Sequence, residues 1–163
     1  MKIYLDIETT GLSRIHNSVT VVGIFDGKRV MQLVSGIDLC EESLSSLIGD
    51  VEHVVTFNGK RFDIPFLKHN FPNAPLSHLK HFDLMYLGWK LGWRGGQKAI
   101  EERLGLSRNS GIHNGREAVH LWHAYKQGNQ VALEQLLEYN SEDLINMHLI
   151  EAAMTREFKH RQK

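Results

Sequence analysis

The chain opens with Met1-Lys-Ile-Tyr-Leu-Asp6-Ile-Glu8-Thr-Thr-Gly11-Leu12. Its polar and apolar residues alternate with a period of two, which is typical of a β-strand with two different faces. Asp6 and Glu8 therefore point to the same side of the predicted sheet. Two carboxylates on a mostly apolar strand repel each other and are costly to desolvate unless a cation lies between them. Because hard oxygen ligands suit Mg²⁺ and Mn²⁺, the strand predicts part of a metal site, although a solvent-facing strand is the commoner explanation of this motif alone.

The length and composition are those of one globular domain, which we expect to span residues 1–163. Nineteen Lys and Arg residues balance nineteen Asp and Glu residues, so the net charge gives no overall basic surface for nucleic acid. The single cysteine, Cys40, excludes an intramolecular disulfide and a cysteine-based zinc site. It fits a reducing compartment, and with no signal-peptide pattern or long apolar segment we expect a cytoplasmic protein without a membrane span.

Periodicity and turn signals predict an α/β fold with a five-stranded mixed sheet flanked by helices. Four further strands are predicted at residues 18–25, 29–34, 51–57 and 81–83, and Asp26-Gly27 marks a hairpin between two of them. Helices are predicted at residues 41–48, 62–69, 84–91, 97–104, 116–127 and 131–158. The last helix is expected to bend or break near residues 139–141, and residues 106–115 are expected to form a loop. The order of these elements predicts three antiparallel strands followed by parallel ones.

The stretch after the fourth predicted strand contains Asn58, Phe62 and Asp63. Ligands gather where strands end in open α/β sheets, so Asp63 is a candidate for the same site as Asp6 and Glu8. Phe62 could stack on a base and Asn58 could form hydrogen bonds to a sugar or base. The alternative is that Asp63 caps the next helix and Phe62 enters the core.

A third stretch places Tyr139 and Asp143 four residues apart on the last predicted helix. At that spacing both side chains lie on one helix face and can address one point. The alternative is a tyrosine at the edge of the core and a solvated aspartate.

The ordered set Asp-x-Glu, Asp and Tyr-x-x-x-Asp resembles the three exonuclease motifs of the DEDD superfamily, which are ribonuclease H-like 3′–5′ exonucleases. The match is to the tyrosine subgroup, because Glu138 stands where the histidine subgroup has its histidine. Residues 115–128 and 133–143 look like the YprB-like exonuclease group, which is similar to the proofreading domain of family B DNA polymerases. The resemblance extends over nearly the whole chain.

This resemblance implies a ribonuclease H-like fold and a metal-dependent 3′–5′ exonuclease that acts on single-stranded or frayed DNA or RNA and releases nucleoside 5′-monophosphates. It implies two Mg²⁺ or Mn²⁺ ions, with Asp6, Glu8 and Asp143 holding one and Asp63 reaching the second, which shares Asp6. It also implies that Tyr139 orients the attacking water. Substrate-binding residues would be Thr9, Thr10, Leu12, Asn58 and Phe62, with Leu12 as a wedge against the terminal base.

Two other functions stay open on the sequence. One is an endonuclease of the ribonuclease H type, and the other is a non-catalytic module that binds a nucleic-acid end or a replication or repair protein such as a polymerase. Asp83 is expected to cap a helix rather than to join the site. Six basic residues are candidates for phosphate contacts, although each is more often a solvated charge: Lys60, Arg61, Arg94, Lys98, Arg103 and Arg108.

Overall fold

Five β-strands form one mixed sheet in the computed structural model, which describes residues 1–163. The strands are β1 (Lys2–Thr9), β2 (Val19–Phe25), β3 (Val30–Val34), β4 (His53–Thr56) and β5 (Lys80–Asp83). Their order across the sheet is β3-β2-β1-β4-β5. The first three pair antiparallel, and β4 and β5 run parallel to β1. The predicted mixed sheet, with antiparallel strands followed by parallel ones, is confirmed.

Six α-helices cover the two faces of the sheet. They are α1 (Glu41–Ile48), α2 (Asp63–Asn70), α3 (Leu84–Lys90), α4 (Gln97–Leu104), α5 (Gly115–Lys126) and α6 (Gln130–His160). Side chains of α1 and α2 pack with Ile3, Leu5 and Ile7 on one face, and the other four helices cover the opposite face. The alternation along β1 therefore serves two cores, because Tyr4 packs on the side opposite to Ile3. None of the helices combines the length and the apolar character that crossing a membrane requires.

The predicted break in the last helix is wrong. Helix α6 is continuous over 31 residues, and Tyr139 and Asn140 lie in its middle with their side chains buried. The side chain of Asn140 faces the sheet and donates its hydrogen bonds to Asp6, so it does not interrupt the backbone ladder of the helix. A smaller difference is a short 3₁₀ turn at Leu76–His78, in a segment where no helix or strand is predicted.

A glycine in β2 lets α6 approach the carboxyl-terminal half of β1. Gly23 pairs with Asp6 across the two strands. A Cβ atom at Gly23 would lie 2.1 Å from Oδ1 of Asn140, which is far inside any van der Waals contact. The absence of a side chain at Gly23 therefore permits the close contact between α6 and the strand that carries Asp6 and Glu8.

Candidate active site

Three of the predicted acidic residues converge between β1 and α6. Asp6 and Glu8 lie two residues apart on β1, and Asp143 lies on the face of α6 that covers this strand. One carboxylate oxygen from each of the three residues lies within 4.8 Å of the other two. Glu8 and Asp143 are almost fully buried, whereas Asp6 is half-buried. The arrangement places three acidic groups around one point at the edge of the core.

The three carboxylates fit a divalent cation. Burial raises the pKa of Asp6 well above its ordinary value, and Asp143 and Glu8 raise it further by repulsion. Burial and Asp143 raise the pKa of Glu8 in the same way. Oε1 of Glu8 is buried and has no hydrogen-bond donor in the protein. An unpartnered, buried carboxylate oxygen beside two further carboxylates is a donor set suited to Mg²⁺ or Mn²⁺.

Asp63 lines the same surface cleft as these three residues, but its carboxylate has different contacts. It is the first residue of α2, and its Oδ1 accepts a hydrogen bond of 3.1 Å from the backbone N–H of Ile7. Phe62 occupies the N-cap position and provides no side-chain cap. The Asp63 carboxylate therefore ties the start of α2 to β1. It is not among the three acids whose oxygens converge within 4.8 Å.

The raised pKa of Asp63 predicts that the stability of the metal-free protein depends on pH. Burial raises the pKa of Asp63 to about 7, despite the hydrogen bonds from Ile7 and from its own backbone. An unfolded aspartate has a pKa of about 3.9. Because the folded state binds the proton more tightly, this contribution to stability is lost as the pH rises from about 4 through about 7. We expect the melting temperature in EDTA to be higher at pH 6 than at pH 8, as measured by thermal unfolding.

An isosteric variant separates this effect from those of other groups. Asp63→Asn should show a smaller difference in melting temperature between pH 6 and pH 8 than the wild type, because asparagine does not titrate. Asp50→Asn, at an exposed position, should retain the wild-type difference. An Asp63→Asn variant with an unchanged pH dependence would show that this carboxyl does not carry the effect.

A cleft of about 730 Å³ opens beside the three carboxylates. Four of the five predicted substrate-binding residues line it, namely Thr9, Leu12, Asn58 and Phe62. Leu12 is 87% exposed, so it stands at the rim as a free apolar side chain. Thr10 does not line the cleft. Its hydroxyl accepts a hydrogen bond of 3.0 Å from the N–H of Ser18 in the loop before β2.

Phe62 and Asp83 support the positions of the loop after β4. Phe62 packs against Phe66 with the ring centres 4.9 Å apart, so it joins the core while also lining the cleft. Asp83 caps α3 by accepting a hydrogen bond from the N–H of Met85, as predicted. Its carboxylate also accepts hydrogen bonds from the N–H groups of Asn58, at 2.8 Å, and Lys60, at 3.0 Å. Asp83 therefore holds the loop that presents Asn58 to the cleft.

Tyr139 lies one turn before Asp143 and is almost fully buried in the packing of α5 against α6. Burial raises the pKa of its hydroxyl, and Asp143, Glu8 and Asp6 raise it further. The hydroxyl is therefore neutral at physiological pH and can donate a hydrogen bond. The ammonium of Lys98 lies 4.6 Å from the centre of the Tyr139 ring.

Lys98 and Arg108 contact Asp143 directly. Both form ion pairs with Oδ1 of Asp143, and Arg108 also donates two hydrogen bonds of 2.6 Å to Glu101. On the sequence alone, these two residues are candidates only for phosphate contacts. The structure shows instead that two cationic side chains meet the negative charge of the acidic cluster.

Two amides that no sequence motif singles out hold Asp6. Asn140 donates a hydrogen bond of 2.9 Å from its side-chain amide to Oδ2 of Asp6. Gln32 of β3 donates a hydrogen bond of 2.9 Å to Oδ1 of Asn140, which fixes the orientation of that amide. The sequence feature that could have indicated this contact is Gly23, a glycine inside a strand of β-branched residues. Such a glycine indicates a close approach by another part of the chain.

Solved structures with the same fold include several nucleases. NrnC of Brucella melitensis, solved with bound Mg²⁺, is 21% identical, with a TM-score of 0.67 over 99% of this chain and 75% of that one. The EXO domain of Nibbler from Aedes aegypti is 14% identical, with a TM-score of 0.67 over 99% of this chain and 80% of that one. At this level of identity, the likeness establishes the fold.

A family B DNA polymerase from the archaeon Pyrobaculum calidifontis is 15% identical, with a TM-score of 0.71 over 93% of this chain. The chain spans only 24% of that polymerase. We found no significantly similar sequence among curated proteins. The family model of the ribonuclease H superfamily matches residues 3–155, which is most of the chain. The chain therefore belongs to the ribonuclease H superfamily and is a hydrolase of phosphodiester bonds.

Proposed function

We propose that the chain is a metal-dependent 3′–5′ exonuclease of the tyrosine subgroup of the DEDD superfamily. It removes nucleoside 5′-monophosphates from single-stranded or frayed ends of DNA or RNA. The observation that carries this proposal is the convergence of Asp6, Glu8 and Asp143 within 4.8 Å at a cleft that Tyr139 also lines. We further propose that it acts in the cytoplasm, with a replication or repair protein as its partner.

Asp6, Glu8 and Asp143 would hold one divalent ion, and Asp63, together with Asp6, would reach a second. When bound, the ions supply a Lewis acid that activates water and stabilises negative charge on the phosphate oxygens. Asn140 keeps the Asp6 carboxylate in position through its 2.9 Å hydrogen bond. Because ligand orientation depends on such supporting hydrogen bonds, Asn140 contributes to the site without touching substrate.

The other residues of the cleft would bind and orient the substrate. The neutral hydroxyl of Tyr139 would donate a hydrogen bond that orients the attacking water. Thr9 already donates its hydroxyl hydrogen to the backbone oxygen of Gly11 at 2.7 Å, so towards a ligand it acts as an acceptor. An acceptor at this place suits the terminal 3′-hydroxyl of a nucleic acid. Leu12 and Phe62 offer apolar surface to the terminal base.

The test uses single-stranded DNA and RNA labelled at the 5′ end, incubated with Mg²⁺ or Mn²⁺, with EDTA, and with the Asp6→Ala variant. We expect a ladder that shortens from the 3′ end and is absent with EDTA or with the variant. Internal cuts would identify an endonuclease instead. Intact binding without cleavage would favour a non-catalytic module. Because NrnC of Brucella melitensis was solved bound to pGG, the substrates tested should include dinucleotides.

A further inference from the structure

A second cavity, of about 600 Å³, lies between α2 and the edge of the sheet formed by β4 and β5. Its apolar wall comes from Val54 of β4, Ile64 and Pro65 of α2, and the segment around the 3₁₀ turn, with Leu76 and Leu79. The active-site cleft and this cavity share no lining residue. It is therefore a separate concave surface of the molecule.

The charged residues that line this cavity are all basic. Arg14, Lys60 and Lys68 contribute three cationic side chains, and His69 and His81 contribute two imidazoles. No Asp or Glu lines the cavity. Since the chain as a whole carries equal numbers of acidic and basic residues, this is a local concentration of positive charge. All three cationic side chains belong to exposed residues and can reach a ligand.

The imidazole of His81 is fixed within the cavity. Its Nε2 atom forms a hydrogen bond of 2.7 Å with the hydroxyl of Thr56, which is fully buried. Burial lowers the pKa of His81, and Lys60 and Lys68 lower it further against the opposing effect of Asp83. His81 is therefore neutral at pH 7 and offers a hydrogen-bonding group beside the three cations.

Two segments of the chain contribute side chains both to the second cavity and to the active-site cleft. In the loop between β1 and β2, Leu12 lines the cleft and Arg14 lines the cavity. In the segment that begins α2, Phe62 lines the cleft, whereas Lys60 and Ile64 line the cavity. The cleft and the basic cavity are therefore connected by the same two segments of the chain.

We propose that this cavity binds a phosphodiester group of the same nucleic-acid strand whose 3′ end occupies the active-site cleft. The inference rests on the proposed exonuclease function and extends its substrate class to strands longer than a dinucleotide. Cationic side chains around a hollow that lacks carboxylates attract backbone phosphate without reading sequence. The cavity adds no affinity for a dinucleotide that is confined to the cleft, but it adds affinity for a longer strand.

The test compares the double variant Arg14→Ala/Lys68→Ala with Lys28→Ala/Lys90→Ala. The second pair removes the same charge from exposed positions that line neither the cleft nor the cavity. Neither Arg14 nor Lys68 belongs to the acidic cluster, so cleavage of a dinucleotide should keep its kcat and KM. For a strand of about 20 nucleotides, KM should rise roughly tenfold in the first variant only, as expected when two cationic side chains no longer meet the strand.

Binding measured by fluorescence anisotropy in EDTA gives a readout that does not require cleavage. The slope of log K against log salt concentration for the long strand should become shallower by about 0.7 for each phosphate that the variant no longer neutralises. This change would support binding of the strand by the cavity even if the wild type cleaves no substrate. Absence of cleavage would refute only the exonuclease function. Equal decreases in affinity for dinucleotide and long strand, or no decrease for either, would overturn the inference.

A second arm distinguishes the strand from a free nucleotide as the source of the phosphate. Thermal shift is measured with a nucleoside 5′-monophosphate in EDTA, for the wild type and for Arg14→Ala/Lys68→Ala. Equal shifts in the two proteins would support binding of the strand. A shift present only in the wild type, with equal affinity of both proteins for the long strand, would assign the cavity to free nucleotide and overturn the proposal.

Discussion

Asp6→Asn is expected to lower kcat by at least about 10³-fold without lowering the stability of the metal-free protein. Asparagine has the shape of aspartate and keeps an oxygen that can accept the hydrogen bond from Asn140. It removes one charge from a cluster in which Asp143 and Glu8 raise the pKa of Asp6. Because that repulsion disappears, the folded metal-free variant should melt at or above the wild-type temperature in EDTA.

Metal binding gives the second readout for this variant. Saturating Mn²⁺ should raise the melting temperature of the wild type, since a ligand at about 100 times its Kd stabilises a protein by roughly 2.7 kcal/mol. The Asp6→Asn variant should gain much less, because it retains only two of the three converging carboxylates. Asp50→Asn, at an exposed position, should match the wild type in activity and in both melting temperatures.

The variant should lose activity while its stability in EDTA is kept or increased, and poor folding cannot produce this combination. A variant that loses activity because it folds poorly would lose stability in EDTA as well. A variant that retains cleavage would exclude Asp6 as an essential ligand. If the variant lost activity but Mn²⁺ still raised its melting temperature as in the wild type, Asp6 would not be a ligand of the metal. The superfamily assignment would stand.

The first strand and the five-stranded sheet could be predicted because their signals are local. Alternation in β1 placed Asp6 and Glu8 on one face, and the i, i+4 spacing placed Tyr139 and Asp143 on one helix face. Only the resemblance to a known family implied that these two pairs of side chains lie together at one site. The break near Asn140 was a wrong prediction, because the buried side chain of Asn140 donates a hydrogen bond to Asp6 and leaves the helix backbone intact.

The basic residues around Asp143 could not be predicted from local patterns. Lys98 lies on α4 and Arg108 lies in the loop after it, and each is more than thirty residues from Asp143 along the chain. Charged side chains in such segments are solvated in most proteins. The packing of α4 against α6 brings Lys98 and Glu101 close to the acidic cluster, and Glu101 in turn holds Arg108 there.

Arg108 is the charged residue whose removal should destabilise the fold most. Its guanidinium donates two hydrogen bonds of 2.6 Å to Glu101 and also contacts Asp143, and its side chain is only 13% exposed. Burial alone would raise the pKa of Glu101, but hydrogen bonds from Arg108 and Gln97 outweigh it and lower the pKa. Glu101 is therefore a buried, charged carboxylate that depends on Arg108.

Arg108→Met is expected to destabilise the metal-free protein by about 3–5 kcal/mol, the range for removing one partner of a buried ion pair. The double variant Arg108→Met/Glu101→Gln should recover about 2 kcal/mol of this stability, because no charge is then left unpaired at Glu101. Urea unfolding in EDTA measures both values, with Arg103→Met as an exposed control whose guanidinium lies over Trp93. That control should lose no more than about 1 kcal/mol. If the single and double variants were equally destabilised, the ion pair would have no part in the effect, and packing of the Arg108 side chain on Tyr139 would explain it instead.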